Sequence, residues 1–178
     1  LDAQRVLREG WIGPYVLSAL GQPTGPLYFT AALFSFLPDT TLTLRLSMAL
    51  FGVATVPVAY LAFRSMFDAT VATFAALLLA VMTWHLHLSR TGFMVTSWPF
   101  MEMLVLWVLW LALQRRSLPL FAVAGALGGL GVYSYNAYPL FLLVVVIAFA
   151  WSFARARGAP ARRRLTMGAV IFVTAAAG

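Results

Sequence analysis

The sequence predicts an all-α fold, a polytopic transmembrane helical bundle. Three observations predict it. The 178 residues are 62% hydrophobic and 10% charged, whereas a soluble domain is about 45–50% apolar and about 25% charged, so there is too little polar surface to coat a water-facing globule. The apolar residues fall into long unbroken runs rich in Leu, Ala and Met rather than alternating, which argues for helices and against strands. The basic residues are twelve Arg and no Lys, set between those runs. A net charge of +7 therefore carries no nucleic-acid reading, which needs basic residues gathered on a solvated face.

A membrane span needs about 20 predominantly apolar residues. Taken in order, the runs are Leu42–Phe63, Ala69–Leu88, Val95–Leu113, Leu118–Tyr133, Tyr138–Phe153 and Leu165–Gly178, which predicts about six spans. Breakers separate them: Arg64–Asp68, Gln114–Ser117, Asn136 with Pro139, and Gly158-Ala159-Pro160. Pro57 inside the first span reads as a tolerated kink. Gly125-Ala126-Leu127-Gly128-Gly129 gives the fourth span a small-residue face that lets another helix approach closely.

Numbering the faces alternately places Arg64, Arg115, Arg116, Arg155, Arg157, Arg162, Arg163 and Arg164 on one side. The other side receives Arg5, Arg8, Arg45 and Arg90 with Asp2, Glu9 and Asp39. The positive-inside rule makes the eight-Arg side cytoplasmic, in a cell membrane of the bacterial inner-membrane type. Residues 1–41 then form an outer, periplasmic or extracellular segment, and residues 42–178 one membrane domain.

The outer segment is broken repeatedly by Gly10, Gly13, Pro14, Gly21, Pro23, Gly25, Pro26 and Pro38. It also carries Trp11, Ile12, Tyr15 and Leu17, then the apolar stretch Leu27–Phe34. Thr24-Gly25-Pro26 reads as a helix start with Pro in the first turn. That helix is too short to span and is expected to lie in the interface on the outer leaflet, the alternative being an ordinary loop.

Ionisable groups at membrane depth cost roughly 2.5–3.5 kcal/mol on insertion scales, so each asks for a reason. Glu102 falls about two turns into the third span, where it either faces a wet outer cavity or pairs with an Arg or Tyr of a neighbouring helix. Thr83-Trp84-His85, His87 and Ser89-Arg90-Thr91 form the densest polar cluster. His85 and His87 point to different sides at a helix end, so a two-His metal site is poorly supported. Arg90 offers a fork of donors at headgroup level that suits a phosphate, with simple snorkelling as the alternative. Tyr133-Ser134-Tyr135-Asn136-Ala137-Tyr138 makes a hydroxyl-rich aromatic mouth, although interfacial belts use Tyr routinely.

There is no Cys, no phosphate-cradling Gly-rich loop with Lys, no His-Glu-x-x-His and no Gly-x-Ser-x-Gly elbow. Because the chain starts at Leu1 rather than Met and its last apolar run stops in mid-span, it reads as an internal piece of a longer protein, with no signal peptide visible.

Four stretches together carry a resemblance: Gln22-Pro23-Thr24-Gly25-Pro26-Leu27-Tyr28-Phe29, Leu44-Arg45-Leu46-Ser47 opening a span, His87-Leu88-Ser89-Arg90 closing the next, and Gly131-Val132-Tyr133-Ser134-Tyr135. In that order and spacing the chain resembles the C-type (GT-C) integral-membrane glycosyltransferases. Within them it is similar to the family 39 branch of protein mannosyltransferases and the lipid A aminoarabinose transferase, over nearly its whole length. The resemblance implies a GT-C-like bundle and transfer of a sugar from a polyprenyl-phosphate donor to an acceptor on the outer side of the membrane. The acceptor class, whether protein, lipid or polysaccharide, is left open, and no nucleic-acid partner is implied.

The resemblance further implies that the catalytic base lies in an acidic pair upstream of Leu1. Asp2 is off that motif and Glu102 lies a turn beyond where some relatives carry an acid, so both are weak candidates for the base. By likeness Arg90, His87, Tyr133, Tyr135 and Asn136 line the donor-phosphate side, and Pro26 and Tyr28 belong to the interfacial segment. No cofactor is evident, and the residues do not decide whether a divalent metal assists. Two other classes compete: a multi-span secondary transporter, which would show repeated halves with interrupted helices, and a non-catalytic membrane scaffold.

Overall fold

The computed structural model describes residues 2–17 and 21–177. Nine α-helices are present among them, joined by short turns: α1 (Asp2–Glu9), α2 (Gly25–Phe34), α3 (Thr41–Met66), α4 (Ala69–Val81), α5 (Thr83–Thr91), α6 (Ser97–Arg115), α7 (Leu118–Val132), α8 (Tyr138–Arg155) and α9 (Ala159–Ala177). A 3-10 turn over Met94–Thr96 leads into α6. The N-terminal segment also holds a minimal antiparallel ladder, β1 (Tyr15–Val16) with β2 (Gln22–Pro23), in the register Tyr15 to Pro23. The apolar-run reading misses this ladder because two residues are too few for a period to show.

Local chemistry sets the helix starts. Thr40 and Asp68 sit in extended backbone and accept from the amides of Thr43 and Val71, capping α3 and α4. Pro26, Pro119 and Pro139 occupy the first turns of α2, α7 and α8, where their missing N–H leaves nothing unpaired. Gly92 ends α5 in the left-handed conformation at φ 79°, a backbone state that glycine enters without steric penalty.

The span count is about four rather than six. Among the described residues three helices are long and apolar enough to cross a membrane: α3, the 22-residue unit formed by the 3-10 turn with α6, and α8. The expected single span Ala69–Leu88 is instead two helices, α4 and α5, bent by 53° at Met82 and together equal to one span. At 1.5 Å per residue, the 15 residues of α7 reach only about 22 Å, short of a hydrocarbon core of roughly 30 Å. The last run begins earlier than expected, at Ala159, so α9 carries Arg162, Arg163 and Arg164 in its opening turns and keeps a shortened apolar stretch. Gly178 lies outside the described residues.

Packing holds the helices as one body. Val105 and Leu109 of α6, Phe121 of α7, Phe141 and Val145 of α8, and Leu165 and Phe172 of α9 are buried together. The small-residue face of α7 does what its composition predicts. A Cβ on Gly125 would strike the carbonyl of Phe172, and one on Gly129 would lie 2.5 Å from the carbonyl of Ala176. Buried Thr30 and Ser47 share a 2.8 Å hydroxyl hydrogen bond that fastens α2 to α3. Phe29, Phe51 and Phe100 form a ring ladder across α2, α3 and α6 with centroids 4.7 and 5.6 Å apart.

Two ends can be told apart. The Trp110 indole donates to the Ser65 carbonyl over 2.8 Å, bringing the Arg64 end of α3 to the Arg115 end of α6. Leu118 at the start of α7 shares one groove with Arg163 and Arg164 of α9. These Arg-bearing termini thus gather at one end. The opposite end holds the candidate site.

Candidate functional site at the Tyr133 end

Three segments far apart in sequence are tied together at this end by four contacts. The Gly25 amide donates to the Tyr133 carbonyl over 3.0 Å. Asn136 Nδ2 donates to the Gly21 carbonyl over 3.1 Å, across 115 residues of chain. The Ser97 hydroxyl at the start of α6 donates to the Met94 carbonyl at 2.8 Å and lies 3.4 Å from the Ser134 carbonyl. Trp98 and Tyr135 stack with centroids 5.1 Å apart and planes 20° from parallel. A cavity of about 190 Å³ lies beneath these ties, walled by Gly25, Pro26, Phe51, Ser97, Tyr133 and Ser134.

Backbone proximity explains the tie at Gly25. A Cβ there would lie 2.5 Å from the Tyr133 carbonyl oxygen, so only glycine lets the start of α2 seat against the end of α7. Thr24, fully buried just before it, donates its hydroxyl to the Gly13 carbonyl over 2.8 Å and anchors the same turn to the N-terminal segment.

Glu102 is the one acid within the apolar helices. It lies half-buried on α6 and accepts from the Trp98 indole N–H over 2.6 Å, one helical turn away. Among the described residues no arginine pairs with it, the one ion pair being Arg5 with Glu9 on α1. Of the two sequence alternatives, pairing with Arg or Tyr of a neighbouring helix is therefore not what the side chain does: its partner is an indole on its own helix. Near it, Tyr138 is buried with no hydrogen-bond partner for its hydroxyl, its ring packed against the bare Cα of Gly131.

The other sequence candidates distribute as follows. Tyr133 is partly exposed and its backbone is used in the Gly25 tie. Tyr28 is committed inward: its hydroxyl accepts from the Ile12 amide at 2.9 Å, lies 3.3 Å from the Gly13 carbonyl, and its ring stacks on Trp11. Arg90, in the last turn of α5, is exposed with no hydrogen bond or ion pair among the described residues. The left-handed Gly92 beyond it leaves room for the stem of Arg45, whose Cγ would lie 3.3 Å from a Cβ at that position. His87 is exposed beside Trp84, with ring centroids 6.4 Å apart. Asp2 opens α1, away from Glu102 in the chain and on a different element.

His85 has a structural role. It is buried, and its Nε2 donates to the Gly52 carbonyl of α3 over 3.0 Å, which assigns the proton to that nitrogen. Ser89 on the same face packs so tightly on Gly52 that a Cβ there would strike its hydroxyl. Among the described residues no group of three or more His, Cys, Asp or Glu side chains is placed to hold a metal.

Trp98 is the site residue that the sequence reading passes over. Its signal was available, because Trp98 and Glu102 stand four apart and so share a helix face. Arg45 likewise entered without a site role, as a topology marker and as part of the Leu44–Ser47 stretch.

Compared with known proteins, residues 21–177 match the family model described as dolichyl-phosphate-mannose-protein mannosyltransferase. No curated protein and no solved structure matches the chain.

Proposed function

The chain belongs to the dolichyl-phosphate-mannose-protein mannosyltransferase family, which makes it a multi-pass membrane glycosyltransferase of the GT-C type, and from that premise we propose that it moves a sugar from a polyprenyl-phosphate donor to an acceptor on the outer side of the membrane. The single observation that carries the reading is the convergence at the Tyr133 end, where the Trp98 indole joins the Glu102 carboxylate to a hydroxyl-rich loop whose Tyr133 and Ser134 wall a cavity. Family membership sets aside the transporter and scaffold readings.

The transfer needs three things of the protein. The acceptor hydroxyl must lose a proton as its oxygen bonds the anomeric carbon. The bond from that carbon to the phosphate oxygen must break, with the electron pair leaving on polyprenyl phosphate. The departing phosphate must be stabilised. Unpaired Arg90, with its planar fork of donors, suits the phosphate. Glu102, held by Trp98, leaves one carboxylate oxygen for a sugar or acceptor hydroxyl, beside the loop that Tyr135 stacks on Trp98 and Asn136 ties to Gly21. The proton-accepting carboxylate itself is expected in the acidic pair upstream of Leu1. Eight arginines at the opposite end support an orientation with that end in the cytoplasm.

The test is direct. Full-length protein reconstituted with a labelled polyprenyl-phosphate hexose should release polyprenyl phosphate in an acceptor-dependent manner, and Arg90→Ala should suppress that release. Absence of release from any lipid-linked sugar, together with unchanged cellular glycosylation in Arg90→Ala, would sink the reading.

A further inference from the structure

The 53° elbow between α4 and α5 contains no proline or glycine, so its angle is set by what α5 rests on. Three positions of α5 touch α3. His85 is buried, and its Nε2 donates to the Gly52 carbonyl over 3.0 Å. Ser89, buried one turn later, packs so closely that a Cβ on Gly52 would strike its hydroxyl. Gly92, which ends the helix at φ 79°, is seated on Arg45, whose Cα would lie 3.5 Å from a Cβ there. Positions 85, 89 and 92 are i, i+4 and i+7, the spacing of a single helix face. Their partners Gly52 and Arg45 stand about two turns apart on α3, in reverse order, so α5 is laid antiparallel along that helix.

The opposite face of α5 is left free. At about 100° per residue, Arg90 and His87 lie about 140° and 200° round the helix from His85. Both are exposed, and Arg90 has no hydrogen bond or ion pair among the described residues. The hydroxyls of this helix are turned back on it, Ser89 donating to the His85 carbonyl at 2.7 Å and Thr91 to the His87 carbonyl at 2.8 Å. Among the described residues, the His85 imidazole therefore supplies the hydrogen bond that joins α5 to another helix.

We propose that His85 is a positioning residue: its bond to Gly52 sets α5 against α3 and so fixes where the Arg90 guanidinium meets the donor phosphate. The inference rests on the phosphate reading of Arg90 given above. A planar fork of donors is effective only in one orientation, and an arginine on a loosely held helix would spread its guanidinium over many. The buried stripe of α5 and its free stripe thus do separate jobs, one holding and one presenting.

The experiment uses full-length protein, with a nitroxide on Trp84→Cys, an α5 position that is 67% exposed, and donor kinetics with a labelled polyprenyl-phosphate hexose. His85→Asn, whose amide stops at the Nδ1 position, should mobilise the label and raise the donor KM about tenfold, with kcat changed less than about threefold. His85→Gln carries an amide N–H out to the Nε2 position and should restore both label order and donor KM. In an Arg90→Ala background, His85→Asn should leave the donor KM unchanged, because residues that act through one another are not additive. His85→Leu removes the donor without burying an unpaired amide and serves in place of His85→Asn if that protein fails to fold. A label as ordered in these variants as in the parent overturns the proposal. So does a donor KM that rises by the same factor with and without Arg90, since His85 would then act on the fold at large. If Arg90→Ala alone leaves the donor KM unchanged, the phosphate reading falls and the presentation of Arg90 falls with it. A label freed in His85→Asn and restored in His85→Gln would even then support the hold of His85 on α5.

Discussion

The indole N–H of Trp98 donates to the Glu102 carboxylate over 2.6 Å, while the same indole stacks on Tyr135. One residue thus fixes a carboxylate with its edge and a loop with its face. Trp98→Phe should keep much of the stack and lose the donor. A hydrogen bond to a charged group is worth about 1.5–3 kcal/mol, so kcat/KM for sugar transfer is expected to fall about 10- to 100-fold. Glu102→Gln should fall at least as far, and the double variant no further than Glu102→Gln alone, because the two side chains act as a unit. Additive losses in steady-state assays would show that they act separately.

Arg90 carries a different expectation. With no protein partner to lose, Arg90→Ala should leave the melting temperature unchanged and raise the KM for the lipid-linked donor about 10- to 100-fold. Arg90→Lys should recover only part of this, since an ammonium lacks the planar fork. Equal donor KM in all three proteins, measured at fixed ionic strength, would mean that the side chain merely snorkels.

Gly25→Ala should destabilise the fold by about 1–3 kcal/mol, the usual range for forcing atoms into a closed contact. The obstacle is the Tyr133 carbonyl at 2.5 Å, a backbone atom that no rotamer change can move. Asn136→Ala removes an exposed hydrogen bond instead and should cost about 1 kcal/mol or less. Reversible unfolding in mixed micelles can rank the two, and the reverse order would contradict the tie at Gly25.

Along α7 the glycines should differ among themselves. Gly125→Ala meets the Phe172 backbone and should lower stability by about 1–3 kcal/mol, whereas Gly128→Ala meets only the tip of the Phe172 ring at 3.2 Å and should lose less than half as much. Comparable melting temperatures for the two variants would indicate that α7 and α9 are not held at this distance.

The helical class, the helix start at Gly25 and Pro26, and the close face of α7 were legible in the sequence because each depends on neighbours within a few residues. The gathering of arginines at one end was legible as well, since charge placement along a membrane chain reports topology. What escaped was geometry. The bend at Met82 involves no proline or glycine, and only the reach of His85 and Ser89 to Gly52 shows where α5 is anchored. The run Leu118–Tyr133 exceeds α7 by one residue only, and at 16 residues it was already shorter than the roughly 20 a span needs. Of the site, Glu102 and the Tyr133–Asn136 loop were named from composition, but their assembly rests on carbonyls of Gly21, Tyr133 and Ser134, and backbone carbonyls leave no trace in residue identity.

The 115-residue separation between Gly21 and Asn136 also sets a clock. At about 5–20 residues per second of synthesis, the segment that begins at Gly21 waits roughly 6–23 s before its partner loop exists. Throughout that interval the start of α2 is held only by contacts on its own side of the gap, while α3 to α7 are still being inserted. The candidate site at the Tyr133 end therefore closes only after α2 to α7 have been made, late in the synthesis of this region.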